Sequence, residues 1–362
     1  MACDREFDAP DWYAGDAGDA GPADGGTDAA ASDAGAEPTG AWVNVTSNLA
    51  ALPSACGNLS AIAAKPDEDS LLVGVQDTGV YASRDGGETW QQTNAGPGGA
   101  KIPGGVASFL FDPTDPLHYW ITVVQGEHGV YETRDDGHTF IPVGDVRDGD
   151  LLSVDFSDPQ RKLMLLGGHA QPQALGRSDD GGQTWRNIGA GLPADRGCSA
   201  PHVINPSTFI VGCDFMGQGI FRTTDGGASW AMVHDTGGAA APLATPSAGI
   251  FFPARSGALL RSSDDGVSWE EVSPMSSLKP LKPVLLPDGR IAALGAGGVT
   301  VSADAGKTWR RVSVMYPFEP DELTYSERRK AFYIRNSDCG AVVLPDAVAR
   351  FDFDYATDHE MR

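Results

Sequence analysis

The sequence predicts an all-β fold, a β-propeller of seven four-stranded blades. Three observations carry that reading: a turn motif that recurs six times, a spacing between repeats that fits one blade, and an N-terminal strand matching the piece missing from the last blade. Six blades, or an unclosed array, are the alternative arrangements of the same repeats.

The motif reads Ser/Thr-x-Asp-x-Gly-x-Thr/Ser-aromatic. It occurs at Ser83–Trp90, Thr133–Phe140, Ser178–Trp185, Thr223–Trp230, Ser262–Trp269 and Ser302–Trp309, with starts 50, 45, 45, 39 and 40 residues apart. A four-stranded antiparallel blade with its turns takes about 40 to 50 residues, so each interval holds one blade. Within the motif, Asp85, Asp135, Asp180, Asp225, Asp264 and Asp304 are placed to accept backbone N–H bonds inside a tight turn. The Gly two positions on tolerates a positive φ that other residues resist. The aromatic residue opens the outer strand and is expected to wedge between blades.

These segments are similar to Asp-boxes. Residues 42 to 350 resemble the BNR/Asp-box propeller superfamily, which includes sialidases, xyloglucan hydrolases, sortilin-type receptors and a photosystem II assembly factor. The resemblance implies that the boxes lie at the blade edge away from the central site, so that the six Asp residues are structural. A sialidase-like site would need an arginine cluster, a Tyr–Glu nucleophile pair, an Asp acid and a Phe/Tyr-Arg-Ile-Pro segment near the start. Phe140-Ile-Pro lacks the Arg and follows the second box, so no sialidase residues are carried over. The xyloglucan hydrolases pair two such propellers around a cleft, whereas these repeats make one.

Between boxes the strand pattern recurs. In the first blade Ser60-Ala-Ile-Ala-Ala reads as the inner strand, Ser70-Leu-Leu-Val-Gly-Val as the second, Gly79-Val-Tyr-Ala-Ser as the third and Trp90-Gln-Gln-Thr as the outer one. Second strands follow from Tyr119, Leu163, Phe209, Gly249, Ile291 and Phe332. Residues 322 to 352 supply three strands and no box. Ala41-Trp-Val-Asn-Val-Thr looks like Thr89-Trp-Gln-Gln-Thr, so the N-terminal strand is expected to complete that blade and close the ring, which removes exposed sheet edges.

Residues 1–40 are expected to form a disordered acidic tether rich in Ala, Gly and Asp, residues 41–355 the propeller and 356–362 a C-terminal tail. The tether holds about −9 of the net charge of −23. Such a balance excludes non-specific binding to nucleic acid or anionic lipid. No apolar run is long enough to span a bilayer. Met1-Ala2-Cys3 resembles the end of a bacterial lipoprotein signal, which implies lipidation at Cys3, membrane contact through that lipid alone, and a periplasmic, cell-surface or secreted location.

The remaining cysteines are Cys56, Cys198, Cys213 and Cys339, an even number in a chain that reads as exported, and three pairings are possible. Cys198 precedes the inner strand of the fourth blade and Cys213 ends its second strand, at one rim of one blade. Cys56 and Cys339 hold the equivalent places in the first and last blades, which meet in a closed ring. Cys198–Cys213 and Cys56–Cys339 are therefore the expected disulfides.

A ligand is expected on the face formed by the loops between second and third strands and by the connections into inner strands. The candidates there are Asp77, Glu127, His128, His169, Asp214, Arg255, Arg335 and Asp338 from the former, and Asp148, Arg196, Asp235, Lys279 and Glu319 from the latter. His, Arg and carboxylate chemistry in blades two to four suits a hydroxylated ligand or an acid–base pair. No catalytic residue is assigned. No metal motif, nucleophile elbow or phosphate loop occurs, and no cofactor is expected. Three readings follow. The first is a non-catalytic extracytoplasmic binding or assembly propeller recognising protein or glycan, expected to be a monomer. The second is a glycoside hydrolase or polysaccharide lyase. The third is a glycan-binding lectin, weakened because matching loop positions differ from blade to blade.

Overall fold

The computed structural model describes residues 38–52, 59–66, 68–93, 95, 102, 104–238, 240–273, 278, 281–336 and 347–358. Cys3, Cys56, Cys339, Asp338, Lys279 and most of the expected tether fall outside these residues. The described residues form seven four-stranded antiparallel sheets arranged as a β-propeller. Blade one comprises Leu59–Ala64, Leu71–Val75, Gly79–Ser83 and Gln91–Gln92, from inner to outer strand. Blade four comprises Ala200–Asn205, Thr208–Cys213, Gly219–Thr223 and Ala231–His234.

Blade seven closes the ring. Its inner three strands, Glu322–Ser326, Ala331–Asn336 and Ala347–Asp352, are joined by the N-terminal Val43–Asn44, with Val43 opposite Arg350 and Asn44 opposite Ala349. Trp42 seals the seam. Its rings pack on Tyr316 and Phe351, and its Nε1 donates to the Val314 carbonyl at 3.2 Å.

The core lies between blades, because each sheet buries both faces against its neighbours. Second strands are accordingly continuous apolar runs. Leu71–Val75 and Thr208–Cys213 are buried at every position, where a one-sided sheet would alternate. Leu163 and Leu165 of blade three meet Phe209 and Val211 of blade four in one such layer. Several outer strands are short and polar, as at Gln91–Gln92 and Glu270–Glu271, which blunts those edges.

Each of the six repeat turns makes the same four hydrogen bonds. In the first, Ser83 Oγ donates to Asp85 Oδ1 at 2.7 Å and accepts from the Gly87 N–H at 2.8 Å. Asp85 also accepts from the Thr89 N–H at 2.9 Å and the Thr89 hydroxyl at 2.6 Å. The sets at Asp135, Asp180, Asp225, Asp264 and Asp304 are superimposable in partners. The hydroxyl and N–H groups of Thr184 and Ser268 hold the Asp180 and Asp264 carboxyls down at about 2.

The turns also join blades. Gly87 has φ +95°, and a Cβ there would stand 2.7 Å from Val45 Cβ, the residue that follows the outer strand of blade seven. Trp90 Nε1 donates to the Val45 carbonyl at 3.0 Å, while Trp185 and Trp230 reach the equivalent carbonyls of Val143 and Ile188. In these three turns the indole thus wedges between blades and ties to the previous one. Buried ion pairs reinforce two junctions. Lys65 of blade one, with no side-chain exposure, meets Asp136 of blade two at 2.5 Å. Arg161 of blade three grips both oxygens of Asp112 of blade two, each at 2.9 Å. Asp358, in the segment expected to be a C-terminal tail, pairs with Arg290 at 2.6 Å and with Arg310.

Candidate functional site

In an antiparallel blade whose first and third turns lie at one end, the second-to-third-strand loops and the blade-to-blade connections lie at the other. Asp77, Glu127, His128, His169, Asp214 and Arg255 occupy such loops, and Asp148 and Arg196 such connections. Arg335 differs. It sits inside the strand Ala331–Asn336 and is buried, because strand pairing with Glu322 continues one residue further than the hydrophobic run Phe332-Tyr-Ile indicates.

The loop face knits its own charges together. Arg255 of blade five donates from Nε to Asp214 of blade four, and from a terminal nitrogen to the Asp214 carbonyl at 3.0 Å. Burial pushes the Asp214 carboxyl above its ordinary value, against the opposing pull of the Arg255 hydrogen bond and charge. His169 Nδ1 lies 2.7 Å from Asp150, whose hydrogen bond raises the imidazole pKa against desolvation, with the Asp150 and Asp148 charges adding to it. Asp148, with φ +50°, accepts from the Gln125 N–H at 2.9 Å, and Asp77 accepts from the Gly104 N–H at 3.0 Å. Arg196 donates to the Gln218 carbonyl at 2.6 Å. Glu127 is exposed, and half-buried His128 stands edge-on to Tyr131.

Two of the groups that complete this network were not singled out in the sequence. Asp150 is the second residue of the inner strand Gly149–Val154, and Glu322 is the first of Glu322–Ser326. Glu322 Oε2 accepts from Arg335 at 3.0 Å and from the Ile62 N–H at 2.8 Å, while Arg335 also reaches the Leu59 carbonyl at 3.0 Å. These bonds join blades seven and one at the loop end. The signal was a carboxylate opening an otherwise apolar inner strand.

Phe215 and Met216 were missed as well. They lie in the loop after Cys213 and stand 45% and 71% exposed. The loop that presents them is fixed from several sides. Cys213 is disulfide-bonded to Cys198, the Phe215 carbonyl accepts from Gly197 at 2.8 Å, and Asp214 is held by Arg255. Among the described residues no group of three or more His, Cys, Asp or Glu side chains could hold a metal, and no helix is long and apolar enough to cross a membrane.

No family model matches the chain, and no curated protein sequence matches it. Solved structures do. The extracellular domain of a putative one-component system, BT4673, from B. thetaiotaomicron is similar at a TM-score of 0.58 and 11% identity, over 86% of this chain and 40% of that one. A GH74 xyloglucanase from Xanthomonas campestris is similar at 0.39 and 15%, over 75% and 60% respectively. YCF48, solved bound to D1 peptide, is similar at 0.47 and 18%, over 70% and 94%. The chain therefore spans less than two thirds of the length of the first two proteins. The likeness to the BT4673 domain, at 11% identity, shows the fold alone.

Proposed function

We propose that this protein is a non-catalytic, extracytoplasmic binding or assembly propeller of the BNR/Asp-box type, which recognises a protein segment on its loop face. One observation carries the reading. The charged groups of blades three to five are largely engaged with one another, while Phe215 and Met216 project from a loop anchored by the Cys198–Cys213 disulfide. Exposed apolar side chains on a rigid, polar-rimmed base are what a protein contact uses, since little conformational entropy is lost when the partner docks. The disulfide supports an oxidising compartment. Cys3 is the residue at which this reading places a lipid.

A second reading, a glycoside hydrolase or polysaccharide lyase, draws on the Asp214 carboxyl. An acid raised by burial is the group such chemistry needs for leaving-group protonation. The two readings separate in one experiment. Wild type, Phe215→Ser/Met216→Ser and Asp214→Asn are compared for cross-linking to extracytoplasmic proteins and for sugar release from a polysaccharide panel. The binding reading expects a cross-linked partner lost in the double variant, with no release. Release abolished by Asp214→Asn would replace it with the hydrolase or lyase reading.

A further inference from the structure

A cavity of about 380 Å³ lies between blades four and five, at the end of the ring opposite the loop face. Its walls are the inner strand of blade four, the first turn of blade five around Pro246 and Ser247, and the repeat turn of blade five at Ser263 and Asp265. Side chains two apart on a strand share a face. Ala200 and Ile204 pack toward Ile250 and Phe252 of blade five, so His202 between them turns the same way and reaches the cavity.

His202 makes no side-chain hydrogen bond among the described residues, and nor do the side chains of Ser247, Ser263 and Asp265. Burial drives the His202 pKa down to about 4. The ring is therefore neutral near pH 7, with one nitrogen able to donate and the other to accept. Arg261, also in the wall, is already committed: its Nε donates to the Ala248 carbonyl at 2.6 Å and a terminal nitrogen to Glu270 at 3.0 Å. The uncommitted groups are thus a neutral imidazole, two hydroxyls and one carboxylate, beside the apolar faces of Ile204 and Pro246.

We propose that this cavity is a carbohydrate site that takes a neutral monosaccharide or disaccharide unit. Sugars present hydroxyls that both donate and accept, and C–H faces that pack on apolar side chains, which is the mixture the wall offers. The Asp265 carboxylate and the net charge of −23 oppose an anion. The volume falls at the small end of ligand pockets, about 300 to 1,000 Å³. The site is independent of the loop face and of the reading given to it.

The test uses the full chain and ligand-observed NMR with glucose, galactose, mannose, xylose, cellobiose and maltose. His202→Phe fills the cavity, and Asp265→Asn removes the charge while keeping a residue that tolerates the φ of +58° at that position. At least one sugar is expected to bind saturably, with affinity reduced about tenfold by Asp265→Asn, the worth of one charge-assisted hydrogen bond. His202→Phe is expected to abolish it, and Asp214→Asn on the loop face to leave it unchanged. Should His202→Phe fail to fold, Asp265→Asn carries the test. Absence of saturable binding for all six sugars, undiminished affinity in Asp265→Asn, or tighter binding of inorganic phosphate than of any sugar would each overturn the proposal.

Discussion

At one end of the ring the same four hydrogen bonds recur in six turns, with donor–acceptor distances of 2.5 to 3.1 Å. At the other end the junctions use side chains of their own: Asp77 to a Gly104 N–H, Asp148 to a Gln125 N–H, Arg255 to Asp214, and Arg335 to the Leu59 carbonyl. The contrast separates two tasks. Each repeat turn solves one mechanical problem, locking a hairpin and gripping the blade before it, so one solution serves all six. Loops with no shared solution are free to differ, and that freedom allows a surface to be fitted to one partner.

The largest expected effect belongs to the repeated end. Trp90 is 3% exposed in the core between blades seven and one, and its indole N–H bonds the Val45 carbonyl. Trp90→Ala removes both, and should destabilise the protein by about 3 to 5 kcal/mol, as large aromatic core truncations do. Asp214→Asn, breaking a partly exposed ion pair on the loop face, should change stability by less than about 1 kcal/mol. Chemical denaturation of the two variants checks the ratio. Equal losses would erase the distinction between the repeated end and the end proposed for recognition.

The same contrast governs how much was legible in the sequence. The turns were readable because their chemistry is local: Ser178, Asp180, Gly182 and Thr184 bond within seven residues of chain, and a local pattern repeated six times stands out. Closure by Val43–Asn44 was readable because the strand resembles the outer strands it imitates. Cys198–Cys213 followed from blade geometry once the strands were placed. The loop face was only half legible. Its residues could be assigned to that end, but their partners come from other blades, as with Arg335 and the Leu59 carbonyl. Phe215 and Met216 looked like ordinary loop residues, since nothing local says that a side chain finds no cover.

A prediction of intermediate size sharpens the comparison at the point where the two tasks meet. The Cys198–Cys213 disulfide ties the lead-in of the inner strand of blade four to the loop bearing Phe215 and Met216. Crosslinking residues 15 apart stabilises a fold by about 3 kcal/mol in the chain-entropy account. Cys198→Ser/Cys213→Ser should lower the denaturation midpoint accordingly. It should also weaken partner binding more than its stability loss explains, by releasing the Phe215 loop. A variant that melts earlier and binds its partner as well as wild type would leave the disulfide a fold element only.

The smallest effect tests whether the loop-face network is electrostatically coupled. His169 has its pKa raised above the ordinary 6.5, chiefly by the hydrogen bond to Asp150, with burial opposing and the Asp150 and Asp148 charges assisting. A raised folded-state pKa means that the protonated ring is favoured by folding. Its stabilisation is fully present below about pH 6.5 and is lost as pH rises through the higher folded value. His169 is nearly half exposed, so the effect on global stability is small. The direct readout is the NMR titration of its ring protons. Asp150→Asn should bring the midpoint down toward 6.5 or below it, because burial then acts with less opposition. A midpoint unmoved by that substitution would show that His169 and Asp150 do not act as a pair, and would leave the loop face a set of separate charges.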